Sequence, residues 1–182
     1  MLYLRCKVNN LPSCSGMMKK IGLFFFLLLA GLNYADAQDL PNLKHIKLNK
    51  TAHFRNAEAI TVKVIDYLFQ TPIDKGNRSR IEAGRFLIDW MNGTPDYTFY
   101  LEEKETNFFN TDSDLTLMYM ASMTKFMLEN KTIKDQKTIV LGSMQLLLPY
   151  LNKQENKKNW SKELWELNDA NQKGKLAEYL YP

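Results

Sequence analysis

Apolar residues recur at helical spacing through most of the chain, and five segments carry such a stripe between capping residues and helix breakers. The segments span about residues 53–70, 77–92, 111–129, 132–151 and 161–173. Thr71-Pro72 ends the first, and the predicted caps of the other four are Asn77, Thr111, Thr132 and Ser161. Short polar stretches separate them, and short connections favour antiparallel neighbours. The pattern therefore predicts an all-α fold of about five helices, arranged as an antiparallel bundle or as stacked helical hairpins.

The segment 97–110 interrupts this helical pattern. Tyr97, Phe99 and Leu101 alternate with more polar residues, which is typical of a half-buried strand. Phe108 and Phe109 follow across a charged stretch. The segment predicts either a short β-hairpin, which is marginal with two strands alone, or an ordered loop that covers the helices.

The amino-terminal region has the parts of a secretory signal peptide. Lys19 and Lys20 precede an apolar run over residues 21–32, and Ala35 and Ala37 supply the small residues at which signal peptidase cuts. The run is too short to cross a bilayer, which takes about 20 apolar residues. We therefore expect cleavage after Ala37 and a periplasmic or secreted protein with no membrane span. The alternative is an uncleaved anchor.

This leader sets the predicted domain organisation and the charge. Residues 1–37 form the predicted signal peptide, with 1–16 an upstream mis-start; residues 38–52 form an extended arm, and residues 53–182 form a single helical domain. The leader holds four of the 24 basic and one of the 20 acidic residues, so without it the net charge falls from +4 to +1. Nucleic-acid binding requires a basic face, so we expect no nucleic-acid partner.

Cysteine chemistry is confined to the same leader. Cys6 and Cys14 both precede the apolar run, and no cysteine follows it. We therefore expect neither disulfides nor thiolate metal sites nor a cysteine nucleophile in the exported domain. A lipid anchor is not expected either, because the acylated cysteine of a lipoprotein must follow the apolar run.

Candidate binding residues lie in the second helical segment and in the aromatic stretch after it. The candidates are Arg85, Asp89, Trp90, Tyr97 and Phe99. Arg85 and Asp89 suit an anion-binding or carboxylate-assisted site. With Arg78 and Glu82 they also have the i+4 and i+3 spacing of a solvated charge ladder, which is the simpler interpretation. The other, apolar side of this segment carries Ile81, Gly84, Leu87, Ile88 and Met91.

The chain shows no pattern of a metal or cofactor site. Its two histidines, His45 and His53, have a spacing that suits neither a helical metal motif nor a CxxC-type site. Met120, Met123 and Met127 share one helix face, and thioethers suit Cu(I), but methionine more often fills gaps in a core. No phosphate loop or nucleophile elbow occurs. We expect no metal and no cofactor.

Two stretches resemble a known group of proteins. "TPIDKGNRSRIEAGRFLIDWMNGTPDYTFYLEE", from residue 71, and "LMYMASMTKFMLENK", from residue 117, resemble small exported proteins of Bacteroidetes to which no function is assigned. The resemblance spans roughly residues 55–180. It implies a bacterial host with two membranes, and it assigns a role to no residue.

Three functions follow from these patterns. The leading one is an exported interaction or ligand-binding module of the bacterial envelope, with an envelope protein or small ligand bound between helices or beneath residues 97–109. The second is a carboxylate-dependent hydrolase or lyase that uses Asp66, Glu82 or Asp89. The third is a purely structural envelope protein. None of these patterns assigns a catalytic residue.

Cleavage of the leader can be tested directly. We expect the native protein to begin at Gln38, as read by amino-terminal sequencing and intact mass of the envelope fraction. Ala37→Arg should leave the full leader attached, because signal peptidase requires a small residue there. Asp36→Asn, at the position between the two alanines, should be cleaved normally. A native amino terminus at Met1 or Met17 would contradict the prediction.

Overall fold

The computed structural model describes residues 39–157 and 160–182, and in those ranges the chain forms eight α-helices and no strand. The helices are α1 (Thr51–Asn56), α2 (Glu58–Gln70), α3 (Arg78–Gly93), α4 (Glu103–Thr106), α5 (Ser113–Glu129), α6 (Gln136–Leu151), α7 (Lys162–Gln172) and α8 (Leu176–Leu180). The predicted all-α class is confirmed. The count of five is wrong, and the antiparallel arrangement stays a prediction.

The predicted leader, including the residues 1–16 assigned to a mis-start, lies outside the described residues. Within the described part of the chain, no helix combines the length and apolar character that crossing a bilayer requires. The arm over residues 39–50 is non-helical, and Leu43 fixes it to the core with only 7% of its surface exposed.

The first predicted helix is two helices, because a tertiary contact interrupts it. The carbonyl of Phe54 would normally accept the amide of Glu58, but it accepts the indole Nε1–H of Trp90 at 2.9 Å instead. α1 ends at Asn56, and α2 begins after Ala57. The Phe54 ring also occupies the space beside Gly93, where an added Cβ would lie 2.1 Å from it.

Two helices are capped at the predicted residue, and two are capped further along the chain than predicted, at Asp112 instead of Thr111 and at Asp135 instead of Thr132. Asn77 and Ser161 cap α3 and α7 as predicted. For α5 the cap is Asp112 rather than Thr111, which adopts a left-handed φ of 60°. For α6 the cap is Asp135, whose carboxylate accepts the amide of Thr138 at 2.8 Å. An Asx side chain satisfies the first free amides directly, so the helix starts one residue beyond it.

The centre of the fold is α5, which packs against α2, α3 and α6. Nine of its residues are buried, including Met118, Tyr119 and Met123, each fully enclosed. Met127 also belongs to the hydrophobic core, and Met120, which is partly buried, packs against it. The methionine face therefore fills the core, as the apolar circumference of this segment indicates.

The segment 97–110 is an ordered loop and not a hairpin. It runs without a strand from Tyr97 to Glu102, then forms α4 and a 3₁₀ turn, Asn107–Phe109. Phe109 is buried and its ring packs 5.5 Å from that of Tyr119. The alternation of Tyr97, Phe99 and Leu101 reflects a chain that covers the helices rather than one that pairs with a second strand.

The least expected feature of the fold is the burial of Arg80, which is only 3% exposed. Its Nη1 donates to the carbonyl of Leu68 at 2.8 Å and to the carbonyl and hydroxyl of Thr71 at 2.9 and 2.8 Å. Its Nη2 contacts the sulfur of Met118 at 3.3 Å. The amide that would normally bond Leu68 belongs to residue 72, which is Pro72 and has none. Arg80 supplies the missing donor.

We expect Arg80→Met to lower the free energy of unfolding by about 2–4 kcal/mol, because it leaves buried carbonyls of Leu68 and Thr71 without this donor. Arg78→Met is the matched control, since Arg78 lies one half-turn earlier and is exposed. It should change stability by less than about 0.5 kcal/mol. Urea unfolding of both variants measures the difference. Equal midpoints would show that the Arg80 contacts contribute nothing.

Candidate functional site

The five predicted binding residues do not form one site: three lie on α3, on two different faces, and two lie in the loop that follows it. Trp90 faces the core and is 1% exposed, and Tyr97 and Phe99 reach it from the covering loop. Arg85 and Asp89 are exposed on another face of the same helix. The structure therefore divides the predicted set into an aromatic cluster and a charged pair.

The aromatic cluster consists of Trp90, Tyr97 and Phe99. The Trp90 ring lies 5.8 Å from Tyr97 and 6.4 Å from Phe99, and the rings of Tyr97 and Phe99 are also 6.4 Å apart. With its indole N–H bonded to Phe54, Trp90 has no free polar group to offer a ligand. These contacts hold the covering loop against α1 and α3, which is a packing role.

Ion pairs hold the same loop at its edges. Arg55 donates from Nε and a terminal nitrogen to both oxygens of Asp96, at 2.8 and 2.9 Å. This hydrogen bond from Arg55 lowers the pKa of the Asp96 carboxyl. Glu58 binds Lys131 and accepts the Tyr97 hydroxyl at 3.4 Å. The space beneath residues 97–109, one predicted place for a ligand, is thus occupied in part by the protein's own side chains.

The charged pair lines a groove between α3 and α5, with a volume of about 480 Å³. We call it the α3–α5 groove; its lining includes Lys75, Ile81, Gly84, Arg85, Ile88, Asp89, Asp114 and Leu117. Gly84 allows Leu117 to lie at its floor, because a Cβ there would be 2.7 Å from a Leu117 methyl carbon. The volume is within the range of small-molecule and peptide pockets, about 300–1,000 Å³.

Two isoleucines of this groove are exposed where the sequence predicts burial. Ile81 is 49% exposed and Ile88 39%, although the helical pattern assigns both to the apolar side of α3. The buried face instead carries Arg80 together with Ala83, Leu87 and other core residues. α3 is therefore rotated about its axis so that the two isoleucines lie outside its buried face, at the rim of the groove.

The predicted charge ladder forms no close ion pairs. Across residues 39–157 and 160–182, none of Arg78, Glu82, Arg85 and Asp89 has an opposite charge within 4.0 Å. Arg85 and Asp89 also border the neighbouring cleft beside the arm. The guanidinium of Arg85 is therefore free to meet an acidic group from outside.

Of the three carboxylates considered for catalysis, Glu82 and Asp89 both line the cleft beside the arm, seven residues apart on α3, and Asp66 lies outside that cleft. Asp66 accepts from the ammonium of Lys125 at 2.9 Å, while Glu82 and Asp89 are exposed on α3. Lys125 also pairs with Glu129. Of these three acids, Asp89 alone lines the α3–α5 groove.

A buried carboxylate that sequence reasoning missed is Glu105 in α4. It is 2% exposed, its Oε1 lies 3.5 Å from Lys104, and its Oε2 has no hydrogen-bond partner. The hydroxyl of Tyr119 is likewise buried and without a partner. Burial raises the pKa of both groups. The helix has only four residues, so no periodicity marked Glu105 as inward.

Comparison of the chain with protein-family models, with curated proteins and with solved structures finds no match. The resemblance to exported Bacteroidetes proteins stays a prediction. Any function must therefore be inferred from the geometry of the chain itself.

The raised pKa of Glu105 gives the stability a pH dependence. The folded chain keeps this proton to a higher pH than the unfolded chain, so stability falls as the pH rises through the folded-state pKa. We expect Glu105→Gln to raise the urea midpoint at neutral pH, because the amide removes the buried charge. The gain should vanish below about pH 3.5, where the glutamate is mostly protonated in both states.

The matched control for this prediction is Glu103→Gln, because Glu103 lies in the same helix and is exposed. It should change neither the midpoint nor its pH dependence by a comparable amount. A Glu105→Gln variant that is less stable than the wild type at neutral pH would show that the charge of Glu105 stabilises the fold.

Proposed function

We propose that this protein is an exported binding module of a bacterial envelope, and that it holds a segment of a partner protein in the α3–α5 groove. The single observation that carries the proposal is the exposure of Ile81 and Ile88 on one face of α3, at the rim of the groove. Exposed apolar side chains with polar groups around them are typical of protein interaction sites.

The chemistry of the groove defines the kind of segment that would fit. Leu117 at the floor and the two isoleucines at the rim favour an apolar side chain from the partner. Arg85 and Asp89 flank them without close ion pairs among the described residues, and they favour one acidic and one basic group on the segment. Apolar anchors with charged surroundings give affinity and orientation respectively.

The cellular location in this proposal comes from the predicted signal peptide. A positive region, an apolar run too short to span a bilayer and a small-residue cleavage site together favour export. The resemblance to exported Bacteroidetes proteins favours the same location. An envelope protein is then the available partner.

Site-specific photo-cross-linking in native cells tests this function. A benzoylphenylalanine at position 81 should give one discrete cross-linked product, because the residue lies at the rim of the groove. Adding Ile88→Asp should reduce its yield at least about tenfold, the loss expected when a buried apolar anchor is replaced by a charge. The matched control is Tyr100→Asp, since Tyr100 is 58% exposed and lies outside the groove.

Two outcomes would contradict the proposal. One is a cross-linking yield that Ile88→Asp and Tyr100→Asp affect equally, because the partner would then not use the groove. The other is turnover of an envelope metabolite by the purified protein that is lost in Asp89→Ala, which would favour the carboxylate-dependent enzyme. Unchanged urea midpoints of the variants would show that the effects are not due to misfolding.

A further inference from the structure

A second cavity lies between the amino-terminal arm and the first two helices, and it shares no lining residue with the α3–α5 groove. Its volume is about 510 Å³. We call it the arm cleft; it is lined by Pro41, His45, Ile46 and Lys47 of the arm, His53, Asn56 and Ala57 of the α1 region, and Ala59, Ile60 and Lys63 of α2.

Every ionisable side chain that lines the arm cleft is basic. These are His45, Lys47, His53 and Lys63, and no carboxylate is among the lining residues. Neither lysine has an acidic group within 4.0 Å in the described part of the chain, whereas Lys75, Lys104, Lys125, Lys131, Lys162 and Lys173 all form ion pairs. The cleft therefore concentrates positive charge that the protein does not neutralise itself.

The rest of the lining is mainly apolar. Ile46 and Ile60 are half-buried and belong to the shell of the hydrophobic core, and Ala57 is 4% exposed. A ligand that fills the cleft must therefore combine an apolar body with a negative head. A simple inorganic anion would leave the apolar walls unfilled, and a neutral hydrocarbon would leave the lysines unpaired.

One of the histidines is already oriented by the protein. The Nδ1 of His53 lies 2.7 Å from the amide oxygen of Asn49, and because that oxygen only accepts, Nδ1 carries the proton. In the neutral ring this leaves Nε2 as a hydrogen-bond acceptor, so the lysines are the donors that an anion would meet. A metal ion is not favoured, since no group of three or more His, Cys, Asp or Glu converges within the described residues and two lysines border the site.

We propose that the arm cleft binds an amphipathic organic anion, with a carboxylate or phosphate head on a short aliphatic body. The head meets Lys47 and Lys63, and the body lies against Ile46 and Ile60. The site does not depend on the α3–α5 groove or on the function proposed for it.

Calorimetric titration of the purified protein tests the site with four probes that share one chain: octanoate, octyl phosphate, octanol and octyltrimethylammonium. We expect saturable binding of one molecule of octanoate or octyl phosphate, and at least tenfold weaker binding of the neutral and cationic probes. The comparison of the two anions distinguishes a carboxylate from a phosphate ligand.

Variants then locate the binding. Lys63→Gln and Lys47→Gln should each weaken binding of the anion about tenfold, the loss of one charge-assisted contact. Lys134→Gln removes the same charge from an exposed lysine outside the cleft and should have no effect. Ala59→Trp should abolish binding by filling the cleft, because Ala59 is exposed and lines it.

Three results would overturn the inference: no saturable binding of either anion, equal binding of octanol, or equal weakening by Lys134→Gln and Lys63→Gln. Circular dichroism and the urea midpoint of each variant show whether it is folded. If Ala59→Trp alone fails to fold, the lysine variants decide the question by themselves.

Discussion

The fold depends on how the backbone carbonyls at the C-terminal end of α2 are hydrogen-bonded. Pro72 has no amide proton, so the carbonyl of Leu68 loses the donor that a continuing helix would give it. Arg80 replaces that donor and binds Thr71 as well, and Thr71 also accepts the hydroxyl of Tyr150 from α6 at 2.8 Å. One buried guanidinium thereby joins the ends of α2 and α3 and contacts α5. Its charge faces the negative end of the α2 dipole, which offsets part of the cost of burial.

Burial of Arg80 also fixes how α3 is rotated about its axis. Residues three and four positions apart share a helix face, so the face that includes Arg80 also turns Ala83, Gly84 and Leu87 inward. Ile81 and Ile88 lie on the adjacent face and remain exposed. The burial of the Arg80 guanidinium therefore leaves the two isoleucines exposed at the rim of the α3–α5 groove. The same interaction that stabilises the fold places the surface to which we assign binding.

Local features were predictable from the sequence, and features with distant partners were not. The cap at Asn77 and the end of α2 before Pro72 depend on residues within one helical turn, and the sequence predicts both. The burial of Arg80 depends on carbonyls up to 12 residues away and on Met118, which no spacing rule connects. The same holds for Glu105, whose charged neighbours suggest solvent although the loop turns it inward. The sequence pattern therefore assigned Ile81 and Ile88 to the buried side of α3, where the polar side chain of Arg80 is buried instead.

The two proposed sites carry local charge that the net charge of the chain does not reveal. Without its leader the chain is almost neutral, which argues against an extended basic face for nucleic acid. A net charge near zero still allows a local excess of positive charge. Six of the described lysines form ion pairs, whereas Lys47 and Lys63 in the arm cleft do not. Paired charges at a surface are screened and contribute little to recognition. The unpaired ones lie beside apolar walls, in the arm cleft and at Arg85, and there we propose that they orient a ligand.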